Sequence, residues 1–109
     1  MHITKLDENV SVCGQIAPED MRALAQQGFR SIIGNRPDGE EPGQPSWMDV
    51  EAAAKDAGRE ARYIPIATME DLTARKGDFA QAIAQMPGPV LAYCRTGNRS
   101  GNLYEASKA

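Results

Sequence analysis

Seven consecutive residues, Cys94-Arg95-Thr96-Gly97-Asn98-Arg99-Ser100, gather a thiol, two guanidinium groups, hydroxyls and a glycine into one loop. A cysteine attacks as its thiolate, and nearby cations and backbone N–H groups at a helix start favour that form. Arg99 offers a planar fork for two oxygens of a sulfate-like or phosphate-like group, and Gly97 lets the backbone approach without a Cβ in the way. Ser100 is placed to cap a following helix and to donate to the sulfur. A lone cysteine is more often a small core hydrophobe, but the residue types around this one favour chemistry. Cys94, Arg99 and Ser100 are therefore the candidate catalytic residues, and Arg95, Thr96, Gly97 and Asn98 the candidate anion-binding residues.

The flanking sequence supplies the elements that must hold such a loop. Residues 90–93, Val-Leu-Ala-Tyr, are a near-continuous apolar run after Pro89, as suits a strand buried on both faces of a parallel sheet. Upstream, Val10–Cys13 alternates and reads as a strand, followed by a helix from Pro18 to about residue 27 that Gly28 closes. A second strand is expected over 29–33. Residues 35–45 hold prolines, glycines and the acids Asp38, Glu40 and Glu41, which predicts a solvated, irregular loop. Ser46 with Asp49 resembles a capping box, opening a helix that ends at Gly58. A third strand is expected over 62–66, at an edge or ending near Pro65, which cannot donate to a ladder. Thr73 or a neighbour caps the next helix, whose apolar face is Phe79, Ile83 and Met86. Strands alternating with helices give an α/β fold, and such sheets bind ligands beyond the strand carboxyl ends, where Cys94 sits.

The chain has 109 residues, 41% apolar and 25% charged, which implies a single globular domain spanning residues 1–109. A net charge of −3 without a basic cluster argues against nucleic acid as a partner. No apolar run reaches the length of a membrane span and no signal peptide is visible, so the cytoplasm is the expected location. Cys13 and Cys94 could pair once at most, and reduced thiols are expected. Cys13 reads as packing, with a resolving role for an oxidised Cys94 as the alternative. Trp47 reads as a core anchor. Arg36 either lines the site's entrance or pairs with Asp38 or Glu40. One histidine and two cysteines fall short of a zinc ligand set, and no metal or cofactor is expected.

Two resemblances follow. Tyr93-Cys94-Arg95-Thr96-Gly97-Asn98-Arg99-Ser100 resembles the active-site loop of rhodanese-type sulfurtransferases, in which a cysteine carries a persulfide. The rest of the chain, above all residues 12–15 and 28–41, resembles the phosphatase-like domain of bacterial beta-lactamase-hydrolase-like proteins. That resemblance implies a three-layer cysteine-phosphatase-like fold, with a mostly parallel sheet of four to five strands between helices. It also implies a fused or partner metallo-hydrolase domain, since some family members carry one associated with sulfide oxidation.

The resemblances imply different reactions. Cys94 and Arg99 enclose four residues, and cysteine phosphatases enclose one more. Tyr93 stands where tyrosine phosphatases have histidine, and Ala67 and Thr68 where the family pattern expects an acidic aspartate. Asp71, Glu70 and Asp38 remain as candidate general acids, each weighed against the plainer reading of a solvated carboxylate. The leading expectation is a sulfurtransferase: Cys94 takes the outer sulfur of thiosulfate or a persulfide and passes it to a thiol or cyanide. The alternative is a phosphatase acting on a phosphoester through a phosphocysteine. A third reading is a non-catalytic module that binds anions or docks a partner.

Overall fold

The computed structural model describes residues 1–108. Five strands form one sheet: β1 (Ile3–Lys5), β2 (Val10–Cys13), β3 (Ser31–Gly34), β4 (Glu60–Tyr63) and β5 (Val90–Tyr93). Four α-helices accompany them: α1 (Met21–Gln26), entered through a 3-10 turn at Pro18–Asp20, α2 (Trp47–Asp56), α3 (Met69–Gln85) and α4 (Asn98–Ser107). The sheet order is β1-β2-β5-β3-β4, with β1 antiparallel to β2 and the other pairings parallel. The expected three-layer α/β architecture is what the chain adopts.

β5 is the central strand because both of its faces are buried. Val90 and Ala92 join Phe79, Met86 and Leu103 on the side of α3 and α4. Leu91 and Tyr93 join Leu24, Trp47 and Val50 on the side of α1 and α2. The period of two along a strand thus divides one apolar run between two cores. β4 lies at one edge of the sheet and ends before Pro65, which cannot donate to a ladder.

Four sequence expectations need correction. β1 has only three residues, too short for its alternation to register, and was not expected. The helix expected to be capped by Thr73 starts earlier, at Met69, with Thr68 as its N-cap. Thr68 Oγ1 accepts from the Asp71 N–H at 3.1 Å, and the Asp71 carboxylate accepts from the Thr68 N–H at 3.2 Å, a complete capping box. At Ser46 only half of that arrangement forms, the hydroxyl accepting from the Asp49 N–H at 3.1 Å. The loop after β3 is not solvated throughout: Asn35 is fully buried and Arg36 is 3% exposed.

Candidate active site

Cys94 follows the last residue of β5 and is fully buried. Its backbone N–H donates to the Cys13 carbonyl at 3.3 Å, and the Tyr93 carbonyl before it accepts from the Asn35 N–H at 2.8 Å. The central strand's end is thereby fixed to both neighbours. The chain then turns through Gly97, whose φ of +98° suits glycine, and enters α4. A Cβ on Gly14, at the end of β2, would lie 3.0 Å from the Arg95 carbonyl, so the loop packs closely on that side.

The turn aims donors at the sulfur. The Gly97 N–H donates to Cys94 Sγ at 3.0 Å. Burial pushes the Cys94 thiol up, but hydrogen bonds led by the N–H groups of Ser100, Thr96 and Gly97 outweigh it, leaving its pKa below the ordinary value. Ser100 is the third residue of α4 rather than its cap, a place taken by Gly97. Its hydroxyl is held by Asn35, donating to Oδ1 at 2.8 Å, while Asn35 Nδ2 donates to the Ile64 carbonyl at 2.9 Å. Asn35 therefore ties Ser100, in the first turn of α4, to the stretch just after β4.

Arg99 reaches back across the loop mouth. Its Nη1 donates to Glu40 Oε2 at 2.7 Å and to the Ile66 carbonyl at 2.8 Å, and its Nη2 donates to Glu40 Oε1 at 2.7 Å. The Glu40 carboxylate, and after it the Cys94 sulfur, favour the charged form of the Arg99 guanidinium. Glu40 also accepts from Arg36 Nε at 2.9 Å, and Arg36 further donates to Glu41 at 2.8 Å and Gln15 at 3.2 Å. The hydrogen bonds from Arg99, with those from Arg36, hold the Glu40 carboxyl at about 2. Arg95 is mostly exposed, 3.9 Å from Glu41.

Of the three candidate acids, two accept backbone hydrogen bonds and the third is exposed. Asp71 accepts from the Ala67 and Thr68 N–H groups, and these bonds lower its pKa, the opposite of what a proton donor needs. Asp38 Oδ1 accepts from the Trp47 N–H at 2.8 Å, and Glu70 is an exposed residue of the first turn of α3. Arg36 pairs with Glu40 and Glu41, not Asp38. Trp47 is a core anchor, stacked on Tyr63 with centroids 5.2 Å apart. A Cβ on Gly34 would lie 2.6 Å from the Trp47 ring. Burial pushes the Cys13 thiol up to about 12, which suits packing rather than reactivity.

The profile of the family described as "Beta-lactamase hydrolase-like protein, phosphatase-like domain" matches residues 2–109. The chain belongs to this family. A beta-lactamase hydrolase-like protein of Agrobacterium fabrum is 38% identical over 109 residues, covering 100% of this chain and 25% of that protein. The chain thus spans about a quarter of the length of the curated relatives it matches. A crystal structure of a candidate phosphatase from Neisseria meningitidis superposes with a TM-score of 0.82 at 37% identity, over 95% of this chain and 74% of that one. PTPMT1 superposes at 0.73 with 16% identity, covering 97% of this chain and 70% of that one, a likeness of fold alone. Between the two resemblances met in the sequence, these relatives favour the phosphatase-like one and lend no support to sulfur transfer as the leading reading. Among the described residues no helix is long and apolar enough to cross a membrane.

Asn35, Glu40, Glu41 and Gln15, which hydrogen-bond to Ser100, Arg99 or Arg36, are not among the candidate residues read from the sequence. An asparagine and an arginine directly after the apolar run of the second strand, ahead of Pro37, were the available signal. In a parallel sheet that position borders the ligand crevice.

Proposed function

We propose that this domain is a cysteine-dependent phosphatase-type hydrolase, acting on phosphate esters or anhydrides whose leaving group departs without needing a proton. The observation that carries the reading is the buried Cys94 sulfur, favoured as thiolate by the N–H groups of Thr96, Gly97 and Ser100 beside Arg99. Sγ attacks phosphorus, the bond to the leaving oxygen breaks, and that oxygen departs with the electron pair. The loop N–H groups and Arg99 stabilise the negative charge on the phosphoryl oxygens during transfer. Water then attacks the phosphocysteine, releasing inorganic phosphate, returning the thiolate and giving a proton to solvent. The Ser100 hydroxyl, held at rest by Asn35, supports the sulfur as it leaves phosphorus by turning its one proton from Asn35 Oδ1 to Sγ.

The restriction to good leaving groups rests on the carboxylates. Asp71, Asp38 and Glu40 all accept hydrogen bonds from N–H donors, and Asp71 and Glu40 are held below their ordinary values. The test compares p-nitrophenyl phosphate with a simple alkyl phosphate, using Cys94→Ser as control. Turnover of the aryl ester alone, lost in Cys94→Ser, is expected. Equal rates on both esters would sink the substrate restriction, and no turnover of either would sink the hydrolase.

A second reading, sulfur transfer through a Cys94 persulfide, is favoured by the four-residue spacing between Cys94 and Arg99. A tighter turn suits a single outer sulfur better than a tetrahedral group, and persulfide exchange needs no acid. After thiosulfate treatment, intact mass would then rise by one sulfur atom in the wild type and not in Cys94→Ser. That gain, with aryl phosphate left intact, would put the second reading in place of the first. Thiosulfate, a persulfide or a phosphoester each presents the same kind of small anion to Arg99. A fused or partner metallo-hydrolase domain remains a proposal from the family's name and from the quarter-length match.

A further inference from the structure

An arginine has five N–H bonds in a fixed plane, so what its neighbours take determines what a ligand is offered. At Arg99 both Nη1 hydrogens are committed, one to Glu40 Oε2 and one to the Ile66 carbonyl, and one Nη2 hydrogen goes to Glu40 Oε1. Nε–H and the second Nη2–H remain. These two lie along one edge of the guanidinium, parallel to each other, as bidentate binding of an oxyanion requires.

We propose that Glu40 is a positioning residue of the anion site: its carboxylate grips the outer end of Arg99 and so turns the free Nε/Nη2 edge toward an oxyanion on Cys94. Glu40 is itself held. Its Oε1 also accepts from Nε of Arg36, whose side chain is 2% exposed and whose remaining bonds go to Glu41 and Gln15. One carboxylate thus bridges a buried arginine just after β3 and an arginine in the first turn of α4. Such a bridge orders a long side chain before substrate arrives, which removes the rotamer entropy that binding would otherwise cost. Glu40 touches neither the sulfur nor, on this reading, the substrate. The inference builds on the anion-binding reading of the loop but does not require hydrolysis.

The test is calorimetric binding of inorganic phosphate to the whole 109-residue chain and to Glu40→Gln, Arg99→Lys and the double variant, with melting curves alongside. Glu40→Gln keeps the shape but removes the charge and one acceptor oxygen. It is expected to weaken phosphate binding about tenfold, the scale of one charge-assisted hydrogen bond. In the Arg99→Lys background, where no fork remains to be aimed, Glu40→Gln is expected to have almost no further effect. In turnover of p-nitrophenyl phosphate, Glu40→Gln should raise KM by more than it lowers kcat.

A Glu40→Gln protein that melts lower but binds phosphate as the wild type does would show a loop tether only and overturn the proposal. Additive losses in the double variant would overturn it as well. Failure of the wild type to bind phosphate overturns it together with the phosphatase reading. Binding that falls in Glu40→Gln, in a protein that hydrolyses no phosphoester, sustains the positioning role and rejects the hydrolase.

Discussion

At Cys94 two opposed effects meet on one atom: burial disfavours the thiolate, and three backbone N–H groups favour it, which the Ser100 hydroxyl can join by turning its proton from Asn35. The donors prevail, so removing one should be visible as an upward shift. Ser100→Ala takes away a hydroxyl that can turn its one proton to the thiolate, and leaves Asn35 Oδ1 without its partner. The expected result is a higher Cys94 pKa, read from thiolate ultraviolet absorbance against Cys94→Ser, with about 1–3 kcal/mol lost from stability for the orphaned buried acceptor. An unshifted titration would mean that the backbone N–H groups suffice. Cys13→Ser, by contrast, should keep turnover, since a thiol pushed up to about 12 contributes no thiolate at neutral pH. At this scale the sequence was most informative where residue type carries the chemistry. Cys94, Arg99 and Ser100 stand together in one turn, and their types alone announce a nucleophile, an anion fork and a hydroxyl. Asn35 and Glu40 are ordinary loop residues by type. They join the site only because β3 pairs with β5, a long-range adjacency that no local spacing encodes.

The elements decide which carboxylates are free. Asp71 was a candidate acid while its helix was expected to begin near Thr73. Once α3 starts at Met69, the same residue is the third of the first turn, tied to Ala67 and Thr68. Asp71→Ala should therefore cost about 1 kcal/mol in denaturant midpoint, the usual worth of a cap, with aryl phosphate turnover kept. Loss of turnover at unchanged stability would return it to the list of acids. The misplaced start has a physical reason: Pro65, Ala67 and Thr68 look like loop until the reciprocal Thr68–Asp71 bonds are seen to replace the missing helical ones. The β3–α2 loop carries a prediction of its own. Glu40 is held at about 2 in the folded chain against an ordinary 4.5, so its pairing with Arg99 and Arg36 stabilises the fold fully above about pH 4.5. That contribution is lost as pH falls from there toward 2. Wild type should therefore lose more stability than Glu40→Gln between pH 5 and pH 3 in urea titrations. Parallel losses would show that the pairing contributes nothing to the fold.

Across the whole molecule, one sheet separates two cores, and the site lies where the strands end between them. Phe79 and Leu103 fill one side and Leu24, Trp47 and Val50 the other, with β5 contributing alternate residues to each. The radius of gyration is 12.5 Å, close to the ~13 Å of a compact chain of this length, so neither core is large. A domain of this size has about 5–15 kcal/mol of stability, and truncating a buried phenylalanine costs about 3–5. Phe79→Ala therefore removes a large share of the total. Because β5 belongs to both cores, the loss cannot stay on one side: Val90 and Ala92 are on the strand that also carries Leu91 and Tyr93. Trp47 is on the face opposite Phe79 and makes a convenient reporter, since its stacking on Tyr63 ends when that core opens. In Phe79→Ala, urea unfolding followed by Trp47 fluorescence and by far-ultraviolet circular dichroism should give one shared midpoint, shifted down from wild type. Fluorescence that outlasts the loss of helix would mean that the two layers unfold separately. In that case the turn at Cys94, which hangs from both, would lose its geometry before the fold as a whole is lost.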